Sequence, residues 1–279
     1  MVQDRRSRVE PPADRDRRPY SAAVNPHRES SGIRYHRQGP VSVVTLDRPD
    51  RHNALGRDDV DALAGALDKA VADGVRVLVL TGAGDRTFCS GAALEEMESG
   101  RMSGAVFDTL TERVASFPVP TVARIGGSVY GGGAELALCC DLRVGVQDMR
   151  LSVPAARLGV CYPPGGLQRY VTRLGLGATS RILLAAEEMD GPELLRLGYL
   201  THLTDGAGLD AKVDALARAI GALAPLAVRN MKRGLLALAA GKADPSELSR
   251  LVDECASSDD VKEGLRAWHE KRPPDFTGR

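Results

Sequence analysis

The sequence predicts an α/β protein in which a mostly parallel sheet is followed by a helical C-terminal third. Short apolar runs with β-like composition alternate with segments whose apolar residues recur at helical spacing. Strands that alternate with helices pair in parallel, because each helix returns the chain to the same end of the sheet. From about Gly175 onwards the pattern is almost wholly helical. The 279 residues, with 43% hydrophobic content, suffice for one substantial core.

Apolar periodicity assigns the individual elements. The expected elements of the first part are strands at 33–36 and 41–46, a helix within 53–73, a strand at 75–80, a helix at 106–117, a strand at 121–125, a helix through 135–139 and a strand at 142–146. The expected C-terminal helices are 209–223, 225–238 and 245–256.

The pattern divides the chain into three parts. Residues 1–30 are rich in Arg, Asp, Pro and Ser and almost free of large apolar side chains. Such a composition cannot offset the entropy lost on ordering, so we expect a disordered N-terminal tail. Residues 31–205 form the expected core, and residues 206–279 the helical C-terminal region. Helices with apolar stripes pack on their own core in the more common case, or on a neighbouring subunit.

Composition excludes several classes of function. Lysine plus arginine and aspartate plus glutamate are equal at 37 each, so no net charge favours nucleic acid or an anionic membrane. No apolar run approaches the length of a membrane span, and the N-terminus lacks the apolar region of a signal peptide. The five cysteines form no CxxC pair, which favours a reducing, cytoplasmic compartment. The five histidines lack paired metal-binding spacing, so we expect no metal site.

Two segments of small residues stand between a predicted strand and a predicted helix. They are FCSGAAL at 88–94 and YGGGAEL at 130–136. Unpaired N–H groups face outward at such junctions, and the helix dipole favours negative charge there. Small side chains let the backbone approach a ligand closely, so the two junctions together suit one anionic oxygen. Either segment alone is as well explained by a tight turn.

These segments belong to a longer series of motifs, which resembles the enoyl-CoA hydratase/isomerase (crotonase) superfamily over nearly the whole chain after the N-terminal tail. The landmarks arrive in the order of the family. They are LDRP at 46–49 with NAL at 53–55, VLVLTG at 77–82, FCSGAAL at 88–94, FPVP at 117–120, the triple glycine at 131–133, CDL at 140–142, Pro154, LG at 158–159, GGLQR at 165–169 and KRPPDF at 271–276.

The resemblance implies a fold and a set of site residues. It implies a spiral of repeated β-β-α units that binds acyl-CoA, with a helical C-terminal region that forms a homotrimer or a dimer of trimers. It assigns an oxyanion hole, which polarises a thioester carbonyl and holds its enolate, to the N–H groups of Ala92 and Gly132. Coenzyme A is part of the substrate, so no separate cofactor is expected. The residues that would line the path of coenzyme A are Asn53, Ala54, Leu55, Ala93 and Leu94.

The resemblance also points to the acid/base residue. Hydratases of the family use two glutamates, because adding water requires activating the water and delivering a proton to Cα. Glu135 matches the first, whereas Ala155 stands where the second is expected. We expect Glu135 in the first turn of its helix, where the dipole lowers its pKa and an apolar pocket raises it. A single carboxylate suits the isomerisation of a 3-enoyl-CoA to a 2-enoyl-CoA. Arg169 is expected to have a structural role in its helix.

Two alternatives stay open. The LGVCY loop at 158–162 resembles methylmalonyl-CoA decarboxylase, which has a functional tyrosine at the position of Tyr162. Decarboxylation needs no base, because loss of CO2 leaves the enolate directly. A histidine of the decarboxylase is replaced by Ala92, and Tyr162 is equally well explained as a loop aromatic packed on the two following prolines. The second alternative is a non-catalytic paralogue that binds acyl-CoA.

Overall fold

The computed structural model describes residues 31–279, so the tail predicted at 1–30 lies outside the described residues. The strands of this part of the chain are β1 (Ile33–Gln38), β2 (Val41–Leu46), β3 (Val77–Gly82), β4 (Thr87–Cys89), β5 (Thr121–Ile125), β6 (Ser128–Tyr130), β7 (Leu142–Val146), β8 (Arg150–Ser152), β9 (Met189–Asp190) and β10 (His202–Thr204). Its α-helices are α1 (Arg57–Ala72), α2 (Leu94–Glu98), α3 (Gly104–Ala115), α4 (Gly131–Cys139), α5 (Pro164–Leu183), α6 (Gly191–Arg196), α7 (Leu209–Gly221), α8 (Pro225–Ala239), α9 (Pro245–Ala256) and α10 (Asp259–Glu270).

The main sheet has six strands in the order β1-β2-β3-β5-β7-β10. β1 pairs with β2 in antiparallel orientation, and every other neighbouring pair is parallel. All residues of β3 and β5 are buried, as is typical of parallel strands covered on both faces. The α/β fold and the parallel pairing expected from the sequence are confirmed.

A second sheet of four short strands, in the order β4-β6-β8-β9, stands beside the first. Each of β3, β5 and β7 in the main sheet is followed directly by β4, β6 or β8 in the small one, and a helix comes next. This repeated β-β-α unit is the spiral that the family resemblance implies. The sequence pattern missed the small sheet, because strands of two or three residues are too short to show periodicity.

The structure shifts the start of two predicted helices. The helix expected within 53–73 begins at Arg57, because His52 and Asn53 adopt left-handed backbone angles after a short 3-10 turn. The helix through 135–139 begins at Gly131, directly after β6. The sequence placed Glu135 in the first turn of its helix. In the structure Glu135 is the fifth residue of α4 and lies beyond the first turn. The three glycines form that first turn themselves, so the dipole at the helix start acts less directly on Glu135.

The C-terminal part is less uniformly helical than predicted. β9 and β10 interrupt the helices after residue 175, and β10 adds the last parallel strand to the main sheet. The boundary predicted near residue 205 falls in the turn between β10 and α7. α7 to α9 lie close to their predicted positions, and α10 was not predicted. Several large apolar side chains of α8 to α10 are exposed, Trp268 by 83% and Leu235 by 66%.

Candidate active site

The strand-to-helix junctions after β4 and β6 meet in space, and a short bridge to Leu55 orients the first of them. Leu55 N donates to Gly91 O (2.8 Å), and Ala93 N donates to Leu55 O (2.9 Å). Successive N–H groups of an extended segment point to opposite sides, so the N–H of Ala92 points away from Leu55. Gly132 is the second residue of α4, where an N–H has no acceptor within the helix.

Glycine is required at Gly91, because this residue touches the start of α4. Its φ of +91° lies in a region that other residues rarely adopt. A Cβ here would lie 2.6 Å from the nitrogen of Gly132, well inside contact distance. The turn that carries Ala92 is therefore pressed against Gly132, and the two residues predicted to share an oxyanion lie on touching backbone segments.

The next two glycines are also enclosed by neighbours. A Cβ on Gly132 would lie 2.7 Å from the ring of Phe107, and one on Gly133 would lie 2.1 Å from the carbonyl oxygen of Cys89. The triple glycine thus lets α4 begin in close contact with both α3 and β4. Any side chain at Gly132 or Gly133 would force these elements apart.

The residues predicted to line the path of coenzyme A divide into two groups. Asn53 is 1% exposed: its amide donates to the carbonyl oxygens of Ala83 (3.0 Å) and Thr87 (2.7 Å), and its carbonyl accepts from Arg48 N. These bonds hold the 48–55 loop against the ends of β3 and β4. Leu55 is buried in the bridge to Ala92. The residues accessible to a ligand are Ala54, Ala93 and Leu94.

Glu135 is buried, at 2% exposure, and forms an ion pair with Arg169 of α5. The Arg169 guanidinium also donates to Glu112 Oε2 of α3 (3.0 Å), so one cation joins three helices. The sequence placed Arg169 in a family motif but assigned it only a role within its own helix. No local pattern indicates the pairing, because Glu135 and Arg169 are 34 residues apart.

The surroundings of Glu135 act on its pKa in opposite directions. Burial raises the pKa of the carboxyl, and this effect is the largest. The positive charge of Arg169 lowers the pKa, whereas the negative charge of Asp108 raises it. The net result is a carboxyl whose pKa is above its usual value.

Tyr162 is half-buried and its polar group is engaged. Its hydroxyl donates to the carbonyl oxygen of Gly131 (3.0 Å), and its ring packs edge-on against Tyr170 at 5.7 Å between centroids. Burial raises the pKa of the phenol, so it stays protonated. These contacts hold the 158–163 loop to the triple glycine, one residue from Gly132.

Ala155 opens a short 3-10 helix, Ala155–Leu158, and packs against the core. It supplies no acid or base. Gly165 and Gly166 at the start of α5 border the site: a Cβ on Gly166 would lie 3.0 Å from Glu135 Oε1 and 2.9 Å from the ring of Tyr162.

Within residues 31–279, no group of three or more His, Cys, Asp or Glu side chains is arranged to hold a metal ion. None of the helices described is both long and apolar enough to cross a membrane.

Comparisons with known proteins agree with this geometry. The sequence model of the family "Enoyl-CoA hydratase/isomerase" matches residues 36–279. The chain is 29% identical to a short-chain-enoyl-CoA hydratase of Clostridium acetobutylicum, with 88% of this chain and 97% of the relative covered. It is 32% identical to 2,3-dehydroadipyl-CoA hydratase of Escherichia coli, with 87% and 97% covered.

Solved structures show the same likeness. The crystal structure of an enoyl-CoA hydratase from Bacillus anthracis is similar with a TM-score of 0.82 and 27% identity, covering 89% of this chain and all of that one. An enoyl-CoA hydratase/carnitine racemase from Magnetospirillum magneticum has the same TM-score at 32% identity, covering 89% and 96%. With its spiral of β-β-α units, its paired backbone junctions and a family match from residue 36 to residue 279, the chain belongs to the enoyl-CoA hydratase/isomerase family.

Proposed function

We propose that this enzyme binds an acyl-CoA thioester and stabilises its enolate with the N–H groups of Ala92 and Gly132, while Glu135 transfers the proton. The observation that carries this proposal is the contact between the Gly91 turn and the start of α4, with a buried carboxyl on the fifth residue of that helix. A preorganised N–H donor of this kind contributes about 3 to 4 kcal/mol to the transition state.

The chemistry that fits one such carboxylate is the isomerisation of a 3-enoyl-CoA to a 2-enoyl-CoA. Glu135 takes a proton from Cα, the electron pair moves onto the thioester oxygen, and the same carboxyl then returns a proton to Cγ. The double bond moves by one position and no atom is gained or lost. Ala155 supports this assignment, because the position of the second glutamate holds no acid/base group.

The names of the relatives support an enoyl-CoA as the substrate, and we propose the same substrate class for this chain.

We also propose that the exposed apolar side chains of α8 to α10 pack in a homotrimer or a dimer of trimers. We further propose that the protein acts in the cytoplasm, because its five cysteines form no CxxC pair. The decarboxylase alternative gains no support from the geometry, since the Tyr162 hydroxyl is bonded to Gly131 O.

The test is mass spectrometry of 2-enoyl, 3-enoyl and methylmalonyl thioesters incubated with the protein in D2O, alongside Glu135→Gln. The matched control is Glu188→Gln, an exposed glutamate whose nearest cation is 3.8 Å away. We expect deuterium to enter the 3-enoyl substrate as its double bond moves, and only Glu135→Gln to abolish both changes. Loss of CO2 from the methylmalonyl thioester in the Gln variant would establish the decarboxylase instead, and no reaction across the panel would indicate a binding protein.

A further inference from the structure

A second carboxylate lies beside Glu135 and was not singled out by the sequence. Asp108 is on α3, next in the chain to Phe107, whose ring faces Gly132. Its Oδ1 atom is buried and has no hydrogen-bond partner among residues 31–279. A Cβ on Gly165 would lie only 2.9 Å from this oxygen, so Asp108 faces the start of α5.

Asp108 and Glu135 face two consecutive glycines at the start of α5. Gly165 faces the Asp108 oxygen, and the next residue, Gly166, faces Glu135 Oε1 at 3.0 Å from an ideal Cβ. A side chain at either glycine would overlap a carboxylate oxygen. The two glycines therefore let the start of α5 pack closely against both carboxylates. The charge of Asp108 also reaches Glu135, where it is one of the causes that raise the pKa.

The donors near Asp108 are already used. Arg169 donates to Glu135 and Glu112, and the Thr111 hydroxyl donates to the main-chain oxygen of Asp108 and not to its carboxylate. A buried carboxylate oxygen without a donor is costly, because it has lost its hydration and gained nothing in exchange. Such an oxygen in an active site is suited to accept a hydrogen bond from a water molecule or a substrate hydroxyl.

We propose that Asp108 is a second catalytic carboxylate, which holds and deprotonates the water molecule that adds to a 2-enoyl-CoA. It would supply from α3 the function that Ala155 lacks, so that the site hydrates as well as isomerises. This inference rests on the proposed function, because it uses the same oxyanion hole and the same Glu135.

The step balances in atoms and electrons. The water oxygen forms a bond to Cβ while its proton passes to Asp108, and the electron pair of the Cα=Cβ bond moves onto the thioester oxygen. Protonated Glu135 then gives its proton to Cα as the enolate collapses, which yields a 3-hydroxyacyl-CoA. Proton exchange with water afterwards returns Asp108 to its carboxylate and Glu135 to its acid form.

The experiment compares Asp108→Asn with the intact chain on two substrates. Hydration of a 2-enoyl-CoA is followed in H2(18)O by mass spectrometry, and isomerisation of a 3-enoyl-CoA in D2O. We expect hydration to fall about 100-fold or more, as for loss of a general base, while isomerisation changes by less than about threefold. Asp148→Asn, an exposed residue in the turn between β7 and β8, is the matched control and should change neither rate.

Three outcomes overturn the inference. They are an intact chain that isomerises without adding water, an Asp108→Asn variant that hydrates at the normal rate, and one that loses both reactions together. Because the charge of Asp108 raises the pKa of Glu135, Asp108→Asn should also shift the pH limb of isomerisation to lower pH. Asp108→Ser gives a second test if the Asn variant folds poorly. Failure of the proposed function itself is a separate result: Glu135→Gln would then retain deuterium exchange.

Discussion

The guanidinium of Arg169 pairs with the carboxylate of Glu135 inside the protein, and both side chains are less than 10% exposed. Burial favours the protonated form of Glu135, and the positive charge of Arg169 opposes that effect. In the proposed mechanism, the ion pair therefore increases the fraction of Glu135 that is ionised and able to accept a proton.

Arg169→Gln should therefore move the activity to higher pH. Without the guanidinium the pKa of Glu135 rises further, so fewer molecules carry the carboxylate at neutral pH. We expect the acidic limb of kcat/KM for isomerisation to move to higher pH, with a loss on that limb of about tenfold for each unit by which the pKa rises. A pH-rate profile measures this shift. Glu112→Gln removes the exposed partner of the same arginine and should leave the profile almost unchanged. A loss of activity in Arg169→Gln that is equal at every pH would show that Arg169 acts by packing.

Glu135 should make stability depend on pH in a defined direction. Its pKa in the folded chain is above the unfolded value of about 4.3. The folded state thus binds the proton more tightly, so the contribution of Glu135 to stability is complete below that value. This contribution is lost as the pH rises through the folded pKa. The difference in unfolding free energy between Glu135→Gln and the intact chain should grow in favour of the variant over this window. Denaturant unfolding at several pH values measures it, and a constant difference would contradict the raised pKa.

Gly132→Ala should lower the rate of catalysis in a chain that still folds. The new Cβ would meet the Phe107 ring at 2.7 Å, so the start of α4 must shift relative to the Gly91 turn. We expect a loss in kcat of about 100- to 1,000-fold, the usual cost of one oxyanion donor, measured by steady-state kinetics on a 3-enoyl-CoA. Gly177→Ala in α5 is the control, since no atom lies within 4 Å of its new Cβ. It should retain full activity and gain about 0.5 to 1 kcal/mol in stability.

Combining Gly132→Ala with Phe107→Ala tests the cause. The smaller side chain relieves the contact, so the double variant should recover kcat in part if the shift of α4 is responsible. Unchanged kcat in Gly132→Ala itself would remove Gly132 from the proposed oxyanion hole.

Tyr162→Phe should weaken the site without abolishing the reaction. It removes the hydroxyl that donates to Gly131 O and leaves the ring contact with Tyr170 intact. We expect a loss in unfolding free energy of about 1 kcal/mol and a fall in isomerase kcat of less than about tenfold. Thermal or denaturant unfolding and steady-state kinetics measure the two effects. Loss of all turnover with no change in stability would instead make Tyr162 a direct participant, as the decarboxylase alternative requires.

The order of motifs along the chain was sufficient to predict the family and the α/β fold. The resemblance to the family then assigned Ala92, Gly132 and Glu135 to the proposed site. Each of these depends on short segments whose spacing and side-chain size are local properties. The strands at 121–125 and 142–146 were placed correctly for the same reason, because their apolar runs are long enough to be recognised. The small sheet was missed, since its strands gain their hydrogen bonds from distant segments and carry almost no pattern of their own.

The sequence by itself thus determined the family and the α/β fold, and it predicted the two backbone junctions and the glutamate of the proposed site. Only the tertiary structure decided what surrounds them: Arg169 against Glu135, the Tyr162 hydroxyl on Gly131, and Asp108 with a buried oxygen that lacks a partner among the described residues. These contacts join residues far apart in the chain, so they depend on how α3, α4 and α5 pack together. The pKa of a carboxyl follows from burial and neighbouring charges, and both exist only once those helices have met.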